Sequence, residues 1–269
     1  MRERTDLNEA WKAFLIDLDG TLYHGTHMIP GADELIREFN DRGIPLLFVT
    51  NNSSRTPEDV AEHLSNMGIP ADADQVCTSA VAAAHYIAEI APGSRVAAIG
   101  ENGLLTALEQ AGLQLTKEQP DYVVQGIDRS FTYDKLTEAA RWILGGAKYI
   151  LTNPDLLLPS QDGLLPGAGT LSAAIRAATG AEPVVIGKPS DILMKFATDR
   201  LGLQPQDVAV IGDNMLTDIS AGINAGCGTI LTLTGITTPD NLDTFLARSG
   251  VKPDVICSDL HELKQLITR

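Results

Sequence analysis

The chain has 269 residues, with 20 Lys or Arg against 35 Asp or Glu, so its formal net charge is −15. Such a charge is repelled by nucleic-acid phosphates and by anionic membrane surfaces, which excludes both as expected partners. An apolar fraction of 44% fits an ordinary globular chain rather than a disordered one, and the length fits one large domain or two modest ones.

Short apolar runs at 13–18, 45–50 and 75–78 predict strands, and the amphipathic stretches 31–42 and 57–67 between them predict helices. Strands are then expected at 95–99, 121–125, 148–151, 183–186, 208–211, 229–233 and 254–257. Helices are expected at 101–110, 132–144, 170–179, 191–201, 218–225 and 239–248, with a last one from Leu260. This alternation predicts a parallel sheet with helical crossovers, and the nearly unbroken apolar strands predict cover on both faces. Residues 152–169 are broken by Pro, Gly and Asp and predict a long loop or hairpin, in which Asp162-Gly163 suits a turn. Gly93 and residues 180–183 are the hinge candidates.

Cys77, Cys227 and Cys257 make no CxxC pair and no disulfide framework, so buried thiols in a reducing cytoplasm are expected. Asp17 interrupts the first apolar stretch, which therefore lacks a signal-peptide core. No run approaches the roughly 18 apolar residues of a membrane span.

The first strand runs into Asp17-Leu18-Asp19-Gly20-Thr21. Carboxylates two residues apart point to one side, at the strand end where open α/β sheets bind ligands. They repel each other unless a cation or a shared proton compensates, although an Asp-Gly turn that merely ends the strand explains the same residues. A second strand ends in Gly212-Asp213-Asn214, with Asp218 close behind, either as a further acid or as a helix cap. Together, two acidic strand ends at one sheet edge make an all-oxygen site suited to Mg²⁺. The run Thr50-Asn51-Asn52-Ser53-Ser54-Arg55 offers donors to an anion, or is a polar turn capping the next helix. Lys188, between Gly187 and Pro189 at another strand end, is either a surface charge or a point cation for a phosphate.

Asp-Leu-Asp-Gly-Thr-Leu at 17–22, Thr-Asn-Asn-Ser at 50–53, Gly-Lys-Pro at 187–189 and Gly-Asp-Asn-Met-Leu-Thr-Asp at 212–218 occur in that order. They resemble the four motifs of the haloacid dehalogenase (HAD) superfamily, and the match extends to its NagD-like branch, subfamily IIA, which contains small-molecule phosphatases. The gap between the second and third motifs, and the segments 126–133, 152–155 and 165–169, resemble the cap of that branch. The resemblance implies an α/β fold: a doubly wound parallel-sheet core (HAD-like Rossmannoid) with an inserted α/β cap domain. Its implied boundaries are core 1–90, cap 91–183 and core 184–269.

The resemblance further implies Asp17 as nucleophile, Asp19 as general acid and then base, and Mg²⁺ held by Asp17, the Asp19 main-chain carbonyl and Asp213. Thr50, Asn51, Asn52 and Lys188 would hold phosphoryl oxygens, and Thr21, Asn214 and Asp218 would support them. Asn153, Asp155 and the 159–169 loop would meet the leaving group, with turn chemistry as the alternative. The implied function is Mg²⁺-dependent hydrolysis of a small phosphorylated metabolite in the cytoplasm, through an aspartyl-phosphate. A homodimer stays open. The alternatives are a phosphotransferase or mutase acting on sugar phosphates, and a non-catalytic phospho-accepting switch. Asp19 argues against the switch, which gains nothing from an acid beside its phosphorylated residue. It also argues against dehalogenation, which needs no such acid.

Overall fold

The computed structural model describes residues 10–160 and 163–268. Its strands, in chain order, are β1 (Ala13–Ile16), β2 (Tyr23–His24), β3 (His27–Met28), β4 (Leu46–Thr50), β5 (Val76–Thr78), β6 (Arg95–Ile99), β7 (Gln114–Leu115), β8 (Tyr122–Gln125), β9 (Lys148–Leu151), β10 (Leu157–Ser160), β11 (Gly163–Pro166), β12 (Val184–Val185), β13 (Val208–Gly212), β14 (Gly228–Thr232) and β15 (Val255–Cys257). They fall into two compact units. One holds the described residues of Met1–Thr50, Val60–Cys77 and Lys188–Arg269, the other Asn51–Asp59 and Thr78–Gly187.

The first unit is built on a six-stranded sheet in the order β15-β14-β13-β1-β4-β5. The strands β15 to β4 pair in parallel, as the expected crossovers require. Every residue of β1, β4, β13 and β14 is buried, so both faces are covered. On one face Phe14, Phe48 and Ile211 pack against Leu35, Phe39, Leu64 and Leu263, and the Phe14 and Phe39 rings lie 4.9 Å apart. Each such side chain contributes about 1.5–3 kcal/mol by leaving water. The chain order reverses across β1, which lies between β13 and β4. Ile16 pairs with Ile211 and Phe48, so β1, β4 and β13 end side by side. That is the switch point where open α/β sheets bind ligands.

The second unit carries a five-stranded parallel sheet, β12-β9-β8-β6-β7. Helix Ser79–Ile90, which the expected boundary at residue 90 leaves with the core, groups with this unit because it packs on helix Asn102–Gln110. Neither hinge candidate lies at a passage between units. Gly93, with φ +71°, shapes the turn before β6, and Gly180, with φ +69°, ends helix Ala168–Thr179. Both are positions where only glycine is unstrained. The stretch broken by Pro and Gly forms the antiparallel hairpin β10–β11. Gln161 and Asp162, and with them the expected turn residue, lie outside the described residues.

All three cysteines are buried, and none is in a disulfide. Burial pushes the Cys77 and Cys227 thiols up to about 11, which keeps them protonated and inert near neutral pH. No helix among the described residues is long and apolar enough to cross a membrane.

Candidate active site

Asp17 directly follows β1, and its amide still donates to Ile211 O at 2.9 Å. Its side chain is buried and paired with the Nζ of Lys188. Lys188 Nζ also lies 2.6 Å from Asp218 Oδ1. Burial opposes the lysine charge, but Asp17 and Asp218 together outweigh it and raise its pKa above the ordinary range. Lys188 is therefore a fixed ammonium inside the fold and not a surface charge.

Asp213 ends the same edge and is buried beside these groups. Thr21 Oγ1 bridges them, donating toward Asp17 Oδ2 at 3.2 Å and Asp213 Oδ1 at 3.4 Å. One carboxylate oxygen from each of Asp17, Asp213 and Asp218 falls within a 4.8 Å cluster. Burial, then the charges of Asp218 and Asp17, hold the Asp213 carboxyl well above the usual range. Burial and the Asp17 charge push Asp218 up to about 6 against the pull of Lys188. When all three are ionised, these buried carboxylates facing one ammonium leave two negative charges uncompensated, a set that a divalent cation fits.

Two glycines make this crowding feasible. A Cβ on Gly212 would lie 2.3 Å from Asp218 Cβ, and one on Gly20 would lie 2.5 Å from Asp213 Oδ2. Asp218 sits in a π-helical turn, Met215–Ile219, rather than at the first residues of a regular helix. Asn214 caps that turn, its Oδ1 accepting from the Leu216 amide at 2.9 Å, and its own amide donates to Asp218 Oδ2 at 3.1 Å. The extra residue of a π-turn rotates one side chain out of helical phase, which here brings Asp218 back over Gly212.

Sequence reasoning missed the loop after β14. The Ile236 amide donates to Asp213 Oδ2 at 2.5 Å, and the Thr237 amide to Asp213 O at 3.0 Å. Thr234 Oγ1 donates to Gly20 O at 2.8 Å. A Cβ on Gly235 would lie 2.1 Å from Asp213 Oδ2. The available signal was a buried strand running into Thr-Leu-Thr-Gly-Ile-Thr-Thr at 232–238, at the same sheet edge as both acids.

Asp19, unlike Asp17, has an exposed side chain. The atoms crowding its carboxyl and the Asp17 charge raise its pKa, against His24, the Gly25 amide and His63. A carboxyl shifted this way holds a proton more readily than a free one, as an acid catalyst needs.

Thr50 is the buried last residue of β4, in the strand beside β1. The remaining expected site residues belong to the second unit. Asn51 Nδ2 donates to Asp155 Oδ2 at 3.1 Å, and the Asn51 carbonyl accepts from Ser79 Oγ and Asn153 Nδ2, each at 2.7 Å. The Asp155 amide donates to Asn153 Oδ1 at 3.2 Å, and Thr152 Oγ1 donates to Ser53 Oγ at 3.2 Å. Asn52 Oδ1 accepts from both the amide and Oγ of Ser54 at 2.8 Å, the turn-capping role weighed as its alternative. The structure thus gathers Asp17, Thr21, Lys188, Asp213 and Asp218 into one cluster, and Asn51, Asn153 and Asp155 into another.

Residues 14–114 match a family described as haloacid dehalogenase-like hydrolase, and residues 185–263 match one described as HAD-hydrolase-like. The chain is 47% identical over 234 residues to the 5'-nucleotidase YutF of Bacillus subtilis, covering 87% of this chain and 91% of that protein. It is 46% identical over 253 residues to the acid sugar phosphatase of Staphylococcus aureus, covering 94% and 96%. Among solved structures, NagD from E. coli K-12 superposes with a TM-score of 0.87 at 32% identity, covering 94% of this chain and 98% of that one.

Proposed function

Because the chain belongs to the haloacid dehalogenase-like hydrolases, in the NagD-like branch, we propose that it hydrolyses small phosphate monoesters with Mg²⁺ through an aspartyl-phosphate. The observation that carries the proposal is the buried Asp17, Asp213 and Asp218 cluster, compensated among the described residues by the ammonium of Lys188. The names of the relatives, a 5'-nucleotidase and an acid sugar phosphatase, support nucleoside monophosphates and sugar phosphates as the substrate class. We read the second unit as the inserted cap, and the buried thiols fit a cytoplasmic setting.

Asp17, the Asp19 carbonyl and Asp213 would hold the cation, which when bound supplies charge compensation between an anionic nucleophile and an anionic substrate. In the first step an Asp17 oxygen attacks phosphorus, the bond to the ester oxygen breaks, and Asp19 gives its proton to the departing alcohol. In the second, water attacks the phosphorus of the acyl phosphate while Asp19 takes a proton. Inorganic phosphate leaves and the Asp17 carboxylate is restored. Lys188 and Thr50 hold the phosphoryl oxygens, with the Asn51-Asn52 turn next in the chain. Asp218 and Asn214 fix Lys188 and the turn that carries them, and Thr21 keeps the two metal-facing carboxylates in register.

A screen of phosphorylated metabolites, read out as released phosphate, tests the proposal. Hydrolysis of sugar phosphates or nucleoside monophosphates is expected with Mg²⁺, with a loss on the order of 100-fold or more in excess EDTA. Undiminished turnover in EDTA would refute the metal role, and release of no phosphate from any monoester would refute the activity.

Asp19→Asn separates the two duties of Asp19. The ratio kcat/KM reports steps up to formation of the phosphoryl-enzyme, so on a sugar phosphate it falls by roughly 10²–10⁴. On p-nitrophenyl phosphate, whose leaving group departs as an anion, kcat/KM falls far less. The value of kcat drops on both, because water attack has lost its base. Parent-like kcat/KM on the sugar phosphate excludes the acid role.

A further inference from the structure

The loop after β14 takes no part in the chemistry above, yet it touches both segments that would carry the cation. On one side Thr234 Oγ1 donates to Gly20 O at 2.8 Å, the carbonyl next in the chain after that of Asp19. That hydroxyl has one proton, so the hydroxyl of the buried Thr232, 3.0 Å away, must donate to it. On the other side the Ile236 amide donates to Asp213 Oδ2 at 2.5 Å, which leaves Oδ1 toward the Thr21 hydroxyl inside the cluster. Between the two, a Cβ on Gly235 would stand 2.1 Å from Asp213 Oδ2 and 2.7 Å from Gly20 O. The backbone thus passes both segments at a distance that only glycine permits.

Packing does not hold Ile236 in place, because its side chain is 56% exposed. Asn241 does. Its Nδ2 donates to Ile236 O at 3.0 Å, and its Oδ1 accepts from the Thr238 amide at 2.8 Å. One side chain therefore brackets residues 236–238 through the local backbone bonds that suit Asn to turns. Ile236 is joined to Asn241 by its carbonyl and to Asp213 by its amide. A carboxylate with one oxygen held in this way presents the other in a fixed direction.

We propose that Asn241 and Thr234 are positioning residues that use the 234–238 loop as a clamp, setting the spacing between the Asp19-Gly20 segment and the Asp213 carboxylate for Mg²⁺. The inference rests on the cation site proposed above. It concerns affinity for the ion and not the steps at phosphorus. Both side chains are partly exposed, so water can satisfy the backbone groups that a substitution releases.

The test titrates Mg²⁺ into the metal-free protein by calorimetry, without substrate, for the parent, Asn241→Ala, Thr234→Val, Thr234→Ser and Asp213→Asn. Asn241→Ala and Thr234→Val should each weaken Mg²⁺ binding roughly tenfold. Thr234→Ser keeps the hydroxyl and should bind like the parent. Thermal midpoints without metal should change little, whereas the rise produced by a fixed Mg²⁺ concentration should shrink in the two weakened variants. Their turnover should recover at saturating Mg²⁺, which a damaged fold would not allow. Parent-like affinity in either variant, a serine variant as weak as valine, or a loss of turnover that saturating Mg²⁺ leaves in place overturns the assignment. If the parent takes up no Mg²⁺, or Asp213→Asn takes it up as the parent does, the cation site is what fails, and the inference falls with it. If Asp213→Asn is defective and the loop variants are not, only the positioning role is wrong.

Discussion

Asp17→Asn should abolish turnover, by at least about 10⁴-fold, while leaving the protein folded. The asparagine is close to isosteric, so its Oδ1 can still accept from Lys188 and its amide can still face Thr21 Oγ1. What disappears is the anionic oxygen proposed to attack phosphorus, and no other group in the cluster replaces it. Asp213 and Asp218 are engaged by the Ile236 and Asn214 amides. The fold should tolerate the change because the Asp17 charge is one of the causes that raise the pKa of both Asp213 and Asp218. Removing it relieves repulsion as it weakens the pairing of Lys188. Acid-quenched samples with labelled substrate should trap a phosphoryl-enzyme in the parent and none in the variant. Residual activity above about 1% with an unchanged thermal midpoint would remove Asp17 from the nucleophile role.

Lys188→Ala should be the most damaging change to fold and function together. The lysine is almost wholly buried, 3% exposed, and it is the ammonium between Asp17 and Asp218. Deleting one partner of a buried ion pair costs roughly 3–5 kcal/mol, because the remaining charges keep their desolvation penalty without compensation. In the absence of metal, chemical denaturation should register a loss of that size. Mg²⁺ should restore part of it by supplying positive charge to the same carboxylates. Catalysis should not return with stability, since the proposed point cation for the phosphoryl oxygens is gone. KM rises and kcat falls together, by about 10²–10⁴ in kcat/KM. Adding Asp218→Asn to the lysine variant removes one uncompensated carboxylate and should recover stability without activity. A single variant as stable as the parent, or one with unchanged kcat/KM, contradicts this account.

How much of this was readable beforehand differs from element to element. The strands β1, β4 and β13 were legible because parallel strands buried on both faces are unbroken apolar runs, and each ends abruptly in a polar residue. Helix Ser79–Ile90 was not, because Ala-rich Ser-Ala-Val-Ala-Ala-Ala offers no polar face to reveal a helical period, and six of its twelve residues are buried. The β2–β3 hairpin was too short for two-residue alternation to be visible. Residues 215–219 looked like a lead-in to a helix because nothing local distinguishes a π-turn from an α-helical one. Asn153 and Asp155 were read as contacts for a leaving group, and in the fold their side chains face the turn at 51–53, a partnership no local pattern could reveal.

The sequence by itself determined which residues are acids at strand ends and which segments are strands and helices, because burial period and turn chemistry are written in the spacing of neighbours. Only the tertiary structure decided what meets across long separations. Lys188 finds Asp17, 171 positions away, and His63 finds Gly25, 38 positions away. Thr234 finds Gly20, 214 positions away. Such contacts follow from strand order and register, which the whole core fixes through many small packing terms. No single stretch of chain carries enough of them to announce its partner.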